Sequence, residues 1–250
     1  MSEDTNLERR EFLGNGAKLA AGLTIAPGVV VYGLSEASVP DRPADQPANS
    51  ARRWGMLVDS NKCATGCDAC VTACGKENGW DEGEPNSSPE QKAQWIRKVE
   101  LRHKGTGKTH SLPMMCQHCE NPPCVDVCPT NASMKRADGI VLVDRHRCIG
   151  CRYCMMACPY KARSFIHETL TDQEPHMPRG KGTVESCTMC AHRVDEGREP
   201  ACVEECPEQA ILFGDLNDPD SAIAQALTRY DSTAVREDLG LNPGVRYRGI

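Results

Sequence analysis

Sixteen cysteines in 250 residues constrain this chain more than any other feature, because they fall into four groups of four with none left over. The tightest group is Cys148, Cys151, Cys154 and Cys158, spaced C-x2-C-x2-C-x3-C and followed by Pro159. Cys116, Cys119, Cys124 and Cys128 are spaced x2, x4, x3, with Pro129 next. Cys187, Cys190, Cys202 and Cys206 are spaced x2, x11, x3, with Pro207 next, and Cys63, Cys67, Cys70 and Cys74 are spaced x3, x2, x3. Little else offers a core to fold around. Aromatic residues make up 4% of the chain, and the hydrophobic share reaches 39% only with cysteine and alanine included. Metal–thiolate bonds are the available source of stability.

Three chemistries compete for these thiols. Disulfide frameworks belong mostly to short exported chains with scattered cysteines. Zinc takes four thiolates from paired C-x2-C units, yet seldom from three tight cysteines followed by a Cys-Pro. Three cysteines on a loop, then a fourth three residues on and a proline, is the run that holds 4Fe–4S clusters, the fourth thiolate serving the neighbouring cluster of a pair. That closing Cys-Pro occurs three times here. The spacing therefore points to four 4Fe–4S clusters with all sixteen cysteines as iron ligands, and zinc is the alternative. The thiolate is soft and anionic and suits iron. No C-x-x-C-H haem site is present; Cys187-Thr-Met-Cys-Ala-His192 has one residue too many. His118 and His146 stand beside cysteines and read as structural, since every quartet is already complete. Lys62, Arg145, Arg147, Arg152, Lys161 and Arg163 read as solvated charges. Met155 and Met156 read as apolar cover for a cluster.

Residues 1–37 read as an export signal. Arg9-Arg-Glu-Phe-Leu13 precedes a weakly apolar, glycine-broken run from Ala17 to Leu34, and Ser35-Glu-Ala37 offers a cleavage site. Paired arginines ahead of a modest apolar run resemble a twin-arginine (Tat) signal; a short hydrophobic anchor is the other reading. No other stretch approaches the ~18 apolar residues needed to span a bilayer, so the mature protein is expected to have no transmembrane helix. Residues 38–53 read as a linker. A net charge of −6 gives no reason to expect a nucleic-acid partner.

From Trp54 onward a unit recurs. Gly55-Met-Leu-Val-Asp59 and Gly139-Ile-Val-Leu-Val-Asp144 are strand patterns that each end four residues before a cysteine. Cys128-Pro-Thr-Asn-Ala132, Cys158-Pro-Tyr-Lys-Ala162 and Cys206-Pro-Glu-Gln-Ala210 share C-P-x-x-A, which reads as a short helix opened by proline. Strands are expected at Trp95–Leu101, Arg163–Ile166 and Ile211–Phe213, a helix at Ser221–Arg229, and a loop at Thr169–Gly182. The expected fold is α+β: duplicated bacterial-ferredoxin modules, each for two 4Fe–4S clusters, with short strands, short helices and long loops.

With these motifs assembled, residues 54–247 resemble the four-cluster iron–sulfur subunits of membrane-bound respiratory complexes, among them those of formate dehydrogenases, polysulfide and dimethyl sulfoxide reductases, and NrfC-type proteins. Cys116-Gln-His-Cys-Glu-Asn-Pro-Pro-Cys124, Cys148 to Pro159 and Pro200-Ala-Cys-Val-Glu-Glu-Cys-Pro207 carry the likeness. Lys135 to Asp144 and Cys154 to Arg163 are similar to the DsrO branch, the exported ferredoxin-like subunit of the DsrMKJOP complex of dissimilatory sulfur metabolism. Cys63-x3-Cys67 departs from the x2 of most of the family. The resemblance implies an electron conduit without catalytic residues, placed in the periplasm against the inner membrane. Its partners would be a quinone-interacting NrfD-like membrane subunit and a periplasmic multihaem cytochrome c; service to an exported molybdopterin oxidoreductase is the alternative. It also implies that the first motif pairs with the last and the second with the third. Residues 54–110 then form the first half, 111–170 the central two-cluster module, 171–215 the return to the first half, and 216–250 a docking tail.

Overall fold

The computed structural model describes residues 46–80, 91–171 and 173–250; the export-signal reading falls outside them. Trp54-Gly-Met-Leu-Val-Asp59 is apolar on both faces, as only a central strand can be. It forms β1 (Trp54–Asp59), flanked on one side by antiparallel β8 (Ile211–Asp215), with Trp54 opposite Asp215 and Val58 opposite Ile211. On its other side runs parallel β9 (Val245–Arg248), with Met56 opposite Val245. Gly55 is required there: a Cβ would lie 2.6 Å from the Gly244 carbonyl oxygen and 2.6 Å from Leu216. This three-stranded sheet joins the start, the late middle and the end of the domain.

Three two-stranded ribbons complete the β structure: β2 (Ile96–Arg102) with β3 (Thr109–Met115), β4 (Ser133–Lys135) with β5 (Val141–Val143), and β6 (Ser164–Phe165) with β7 (Val184–Glu185). Helix α1 (Ala69–Asn78) carries Cys70 and Cys74 and ends on Gly79 in the left-handed region, at φ 65°. Short helices α2 (Pro123–Asp126), α3 (Tyr153–Ala157), α4 (Ala191–Asp195) and α5 (Ala201–Glu204) follow, then α6 (Ala222–Arg229). Helix α1 packs on α5, and α2 on α3. Helices α1 and α5 thus meet from stretches far apart in sequence. Strand β3 runs across position 110, so the boundary read there cuts a strand.

The C-P-x-x-A motifs are turns rather than helices. Asn131, Lys161 and Gln209 each donate their N–H to the carbonyl of the motif's cysteine, at 3.3, 3.2 and 3.1 Å, and all three have positive φ. The helices lie before the motif: α2, α3 and α5 each end just ahead of the Cys-Pro. The residue before a proline is held extended, which stops the helix at the cysteine. At Cys158, ψ is 112°.

Residues 216–250 are woven into the fold. Ser221 caps α6, its hydroxyl accepting from Ala224 N at 3.2 Å, and Ile223 beneath it is fully buried. Val245 and Tyr247 on β9 are also fully buried. Among the described residues, no helix is long and apolar enough to cross a membrane.

Candidate metal centres

All sixteen cysteines are free thiols. Each quartet opens on a loop with one shared backbone feature. The residue just before the second cysteine lies in the left-handed region: Gly66 (φ 79°), His118 (42°), Gly150 (69°) and Met189 (54°). A left-handed residue among right-handed ones makes successive N–H groups converge into a concavity that holds anions, iron–sulfur clusters included. Gly66 preserves this placement in Cys63-x3-Cys67, so the extra residue is absorbed earlier in that loop. At Gly150 no side chain fits: a Cβ would stand 2.2 Å from the Gly182 carbonyl oxygen.

The quartets do not close on themselves. Cys116, Cys119 and Cys124 line one cavity with Cys158, taken from the third motif. Cys148, Cys151 and Cys154 line another with Cys128, taken from the second. The outer motifs cross in the same way. Burial pushes the Cys70 thiol up to about 11; Lys98 opposes this, and neighbouring Cys63, Cys206 and Cys67 add to it. Burial, then Cys74, raises Cys187 and Cys202 well above the ordinary thiol range. Cys190 lies beside both Cys74 and Cys202. We designate the groups site I (Cys63, Cys67, Cys70, Cys206), site II (Cys187, Cys190, Cys202, Cys74), site III (Cys116, Cys119, Cys124, Cys158) and site IV (Cys148, Cys151, Cys154, Cys128).

The four sites form a line. Cys70 of site I influences Cys202 of site II, Cys116 of site III influences Cys187 of site II, and Cys124 of site III influences Cys154 of site IV. Sites II and III are wholly buried. At the ends, Cys63, Cys67 and Cys206 are half-buried in site I, while in site IV Cys128 and Cys148 are half-buried and Cys151 is exposed.

The donor set fits an iron–sulfur cluster. Burial first, then neighbouring thiols, raise Cys119 to about 12, and burial raises Cys116 to about 12. Acids crowded this closely lose their protons to a bound cation, which deprotonates a coordinating thiol outright. Hydrogen-bond donors already point at the sulfurs. Backbone N–H groups of Ser133, Met189 and Ala210 donate to Cys128, Cys187 and Cys206 at 3.3, 3.4 and 3.3 Å. Trp80 Nε1 and Asn78 Nδ2 donate to Cys74 Sγ at 3.4 and 3.6 Å. Lys98 Nζ lies 2.7 Å from Cys63 Sγ, and Arg163 Nη2 lies 3.1 Å from Cys124 Sγ.

Several of these side chains escaped the sequence reading. Arg163 is buried, not solvated, at 6% exposure. Lys98 reaches Cys63 from β2, and nothing local to either residue signals the meeting. Met156 faces solvent at 67% exposure, whereas Met155 packs on the core. His118 is structural: its buried Nδ1 accepts from Val141 N at 3.0 Å, and burial, then Arg163, holds it well below the usual histidine range, near 3.

Residues 62–132 and 108–216 each match a 4Fe–4S dicluster domain family. The chain is 39% identical to Hdr-like menaquinol oxidoreductase iron–sulfur subunit 1 of Archaeoglobus fulgidus, over 96% of this chain and 97% of the relative. It is 36% identical to a subunit of the tetrathionate reductase of Salmonella typhimurium, over 97% and 88%. It is 36% identical to the iron–sulfur cluster-binding subunit of the menaquinone reductase of Nitratidesulfovibrio vulgaris, over 78% and 88%. Crossed thiol groups in two dicluster modules, and likeness along almost the whole chain to subunits of this kind, make this protein a member of the ferredoxin-type 4Fe–4S subunits that transfer electrons, without catalysing a reaction, in membrane-associated respiratory oxidoreductases.

Proposed function

We propose that this protein is a periplasmic relay of four 4Fe–4S clusters, one held by the four thiols of each site, in a complex of dissimilatory sulfur metabolism like that of the DsrO branch. It would work between a quinone-interacting NrfD-like membrane subunit and a periplasmic multihaem cytochrome c. The observation that carries this reading is the line of four sites, buried in the middle and open at both ends. When bound, a 4Fe–4S cluster supplies a redox couple whose potential follows charge, hydrogen bonding and exposure. The chain sets these through Lys98 at site I, Trp80 and Asn78 at site II, and Arg163 at site III.

The site IV end supplies the seat for the membrane subunit. Of the exposed large apolar side chains among the described residues, Val127, Met134, Ile149, Tyr153 and Met156 all belong to the segments that form this site. Such a patch marks an interaction surface. The double variant Tyr153→Asp, Met156→Glu, at two exposed positions outside the cavity lining, tests the seat. Its iron content and visible spectrum should match wild type, while co-purification with membranes and reduction by added quinol are lost. Quinol reduction at the wild-type rate would overturn the assignment.

Service to an exported molybdopterin oxidoreductase is the second reading. Purifying the native complex separates the two: haem absorbance accompanies the first, molybdenum the second. Export is tested at Arg9 and Arg10. Replacing both with lysine should leave cluster-loaded protein in the cytoplasm; arrival in the periplasm would remove the Tat assignment.

A further inference from the structure

Outside the four thiol sites, three side chains meet from separate elements. Glu77 stands on the last turn of α1, His176 in the loop between β6 and β7, and His192 on α4. One donor atom from each lies within 4.8 Å of the other two. We propose that Glu77, His176 and His192 form a zinc site that clips the 169–182 loop onto α1. This goes beyond the electron-transfer reading and does not depend on it.

Each imidazole can turn one nitrogen lone pair to the metal. His176 Nε2 is 2.8 Å from the Glu77 backbone carbonyl oxygen. A carbonyl oxygen only accepts, so Nε2 carries the proton and Nδ1 keeps its lone pair. Metal-ligating histidines are oriented in this way, donating the other ring N–H to a carbonyl or carboxylate. His192 Nε2 lies 2.7 Å from Glu77 Oε1, so a metal ion seated between them takes the place of the proton they share. The two rings stand 4.3 Å apart. Imidazole and carboxylate donors suit Zn²⁺, with water completing a tetrahedron.

Arg193 is the cation paired with Glu77, to be weighed against a dication. Its Nη1 pairs with the other Glu77 oxygen, Oε2, at 2.9 Å. Its Nη2 pairs with Glu204, and its Nε donates to the Glu199 carbonyl oxygen at 2.8 Å. Glu77 and Glu204 together carry two negative charges against one guanidinium, so neutral imidazoles leave the cluster net negative. The clip would act where it matters to site II. Asn78 and Trp80, the donors to Cys74, follow Glu77 directly, and Arg179 of the same loop donates to the Gly79 carbonyl oxygen at 2.7 Å.

The test uses the full-length, cluster-loaded protein, first treated with a chelator mild enough to leave its iron content unchanged. Equilibrium dialysis against Zn²⁺ in excess Mg²⁺, read by elemental analysis, should give one more tightly held zinc in wild type than in His176→Ala. Both His176→Ala and Glu77→Gln should bind that zinc at least about tenfold more weakly. His103→Ala, altered at a histidine outside the cluster, should match wild type. His176 is exposed, so its replacement leaves the core intact. Zinc should also slow tryptic cleavage after the exposed Lys181 in wild type and not in His176→Ala. Equal zinc uptake by wild type and His176→Ala, or cleavage indifferent to zinc in wild type, overturns the proposal.

Discussion

Replacing Arg163 with glutamine is expected to lower the midpoint potentials at sites III and IV, most at site III, while iron content stays at the wild-type level. Arg163 donates to Cys124 Sγ at 3.1 Å and to Ser133 Oγ at 2.8 Å, and it acts electrostatically on Cys116 and Cys154. No carboxylate pairs with it among the described residues, so its charge is balanced by the sulfurs. Burial opposes that charge, and the thiols more than compensate, which raises its already high pKa. Reduction adds negative charge, and a fixed cation favours the reduced state. Removing one unit charge at about 6 Å, with an effective dielectric of about 20, costs the reduced state about 3 kcal/mol. For a one-electron couple that is roughly 130 mV. Arg163→Lys keeps the charge and should stay near wild type. Redox titration followed by EPR checks both variants; unchanged potentials in the glutamine variant would remove Arg163 from the tuning of the line.

Truncation after Asp215 is expected to cost the protein both its iron and its cooperative unfolding transition. The deleted stretch carries β9, which completes the sheet around β1. Tyr247 is fully buried, its hydroxyl donating to the Pro113 carbonyl oxygen at 3.1 Å and accepting from Gln117 Nε2 at 3.1 Å. Gly244 N donates to the Gln117 carbonyl oxygen at 2.8 Å. Gln117 lies between Cys116 and Cys119, so the C-terminal residues hold the site III loop in place. Losing a buried aromatic side chain alone costs about 3–5 kcal/mol, a large part of a domain's stability. Tyr247→Ala should therefore lower the melting temperature severely, and the truncation more so. A truncated protein with full iron and a wild-type melting curve would show that this stretch serves only as a surface for partners.

The features legible in the sequence are those governed by residues close together in the chain. The quartets, the strand read at Gly55–Asp59 and the helix read at Ser221–Arg229 are of this kind, since spacing and periodicity are local. What escaped depends on distant approach. Arg163 looks solvated beside Lys161, yet the strand it enters turns it inward between two thiol groups. Lys98 sits on a polar strand and meets Cys63 only because of how β2 packs. The C-P-x-x-A motifs mislead for a different reason. Proline favours the start of a helix, but it also forbids the helical conformation in the residue before it, and here the helix already runs up to that residue. Residues 216–250 hold too few apolar side chains to form a domain of their own and read as a docking tail, yet a few of them fill the gap beside β1.

That central strand emerges well before one of its two neighbours, Val245–Arg248, which lies far downstream in the sequence. Stretches such as 111–170 can begin folding during translation, but the sheet closes only once Val245–Arg248 has left the ribosome. A product that stops before Val245 can thus never acquire the complete sheet, however many of its cysteines have been made. Any transport step that admits only folded cargo would reject such fragments unaided, so the order of the strands works as a test of completeness.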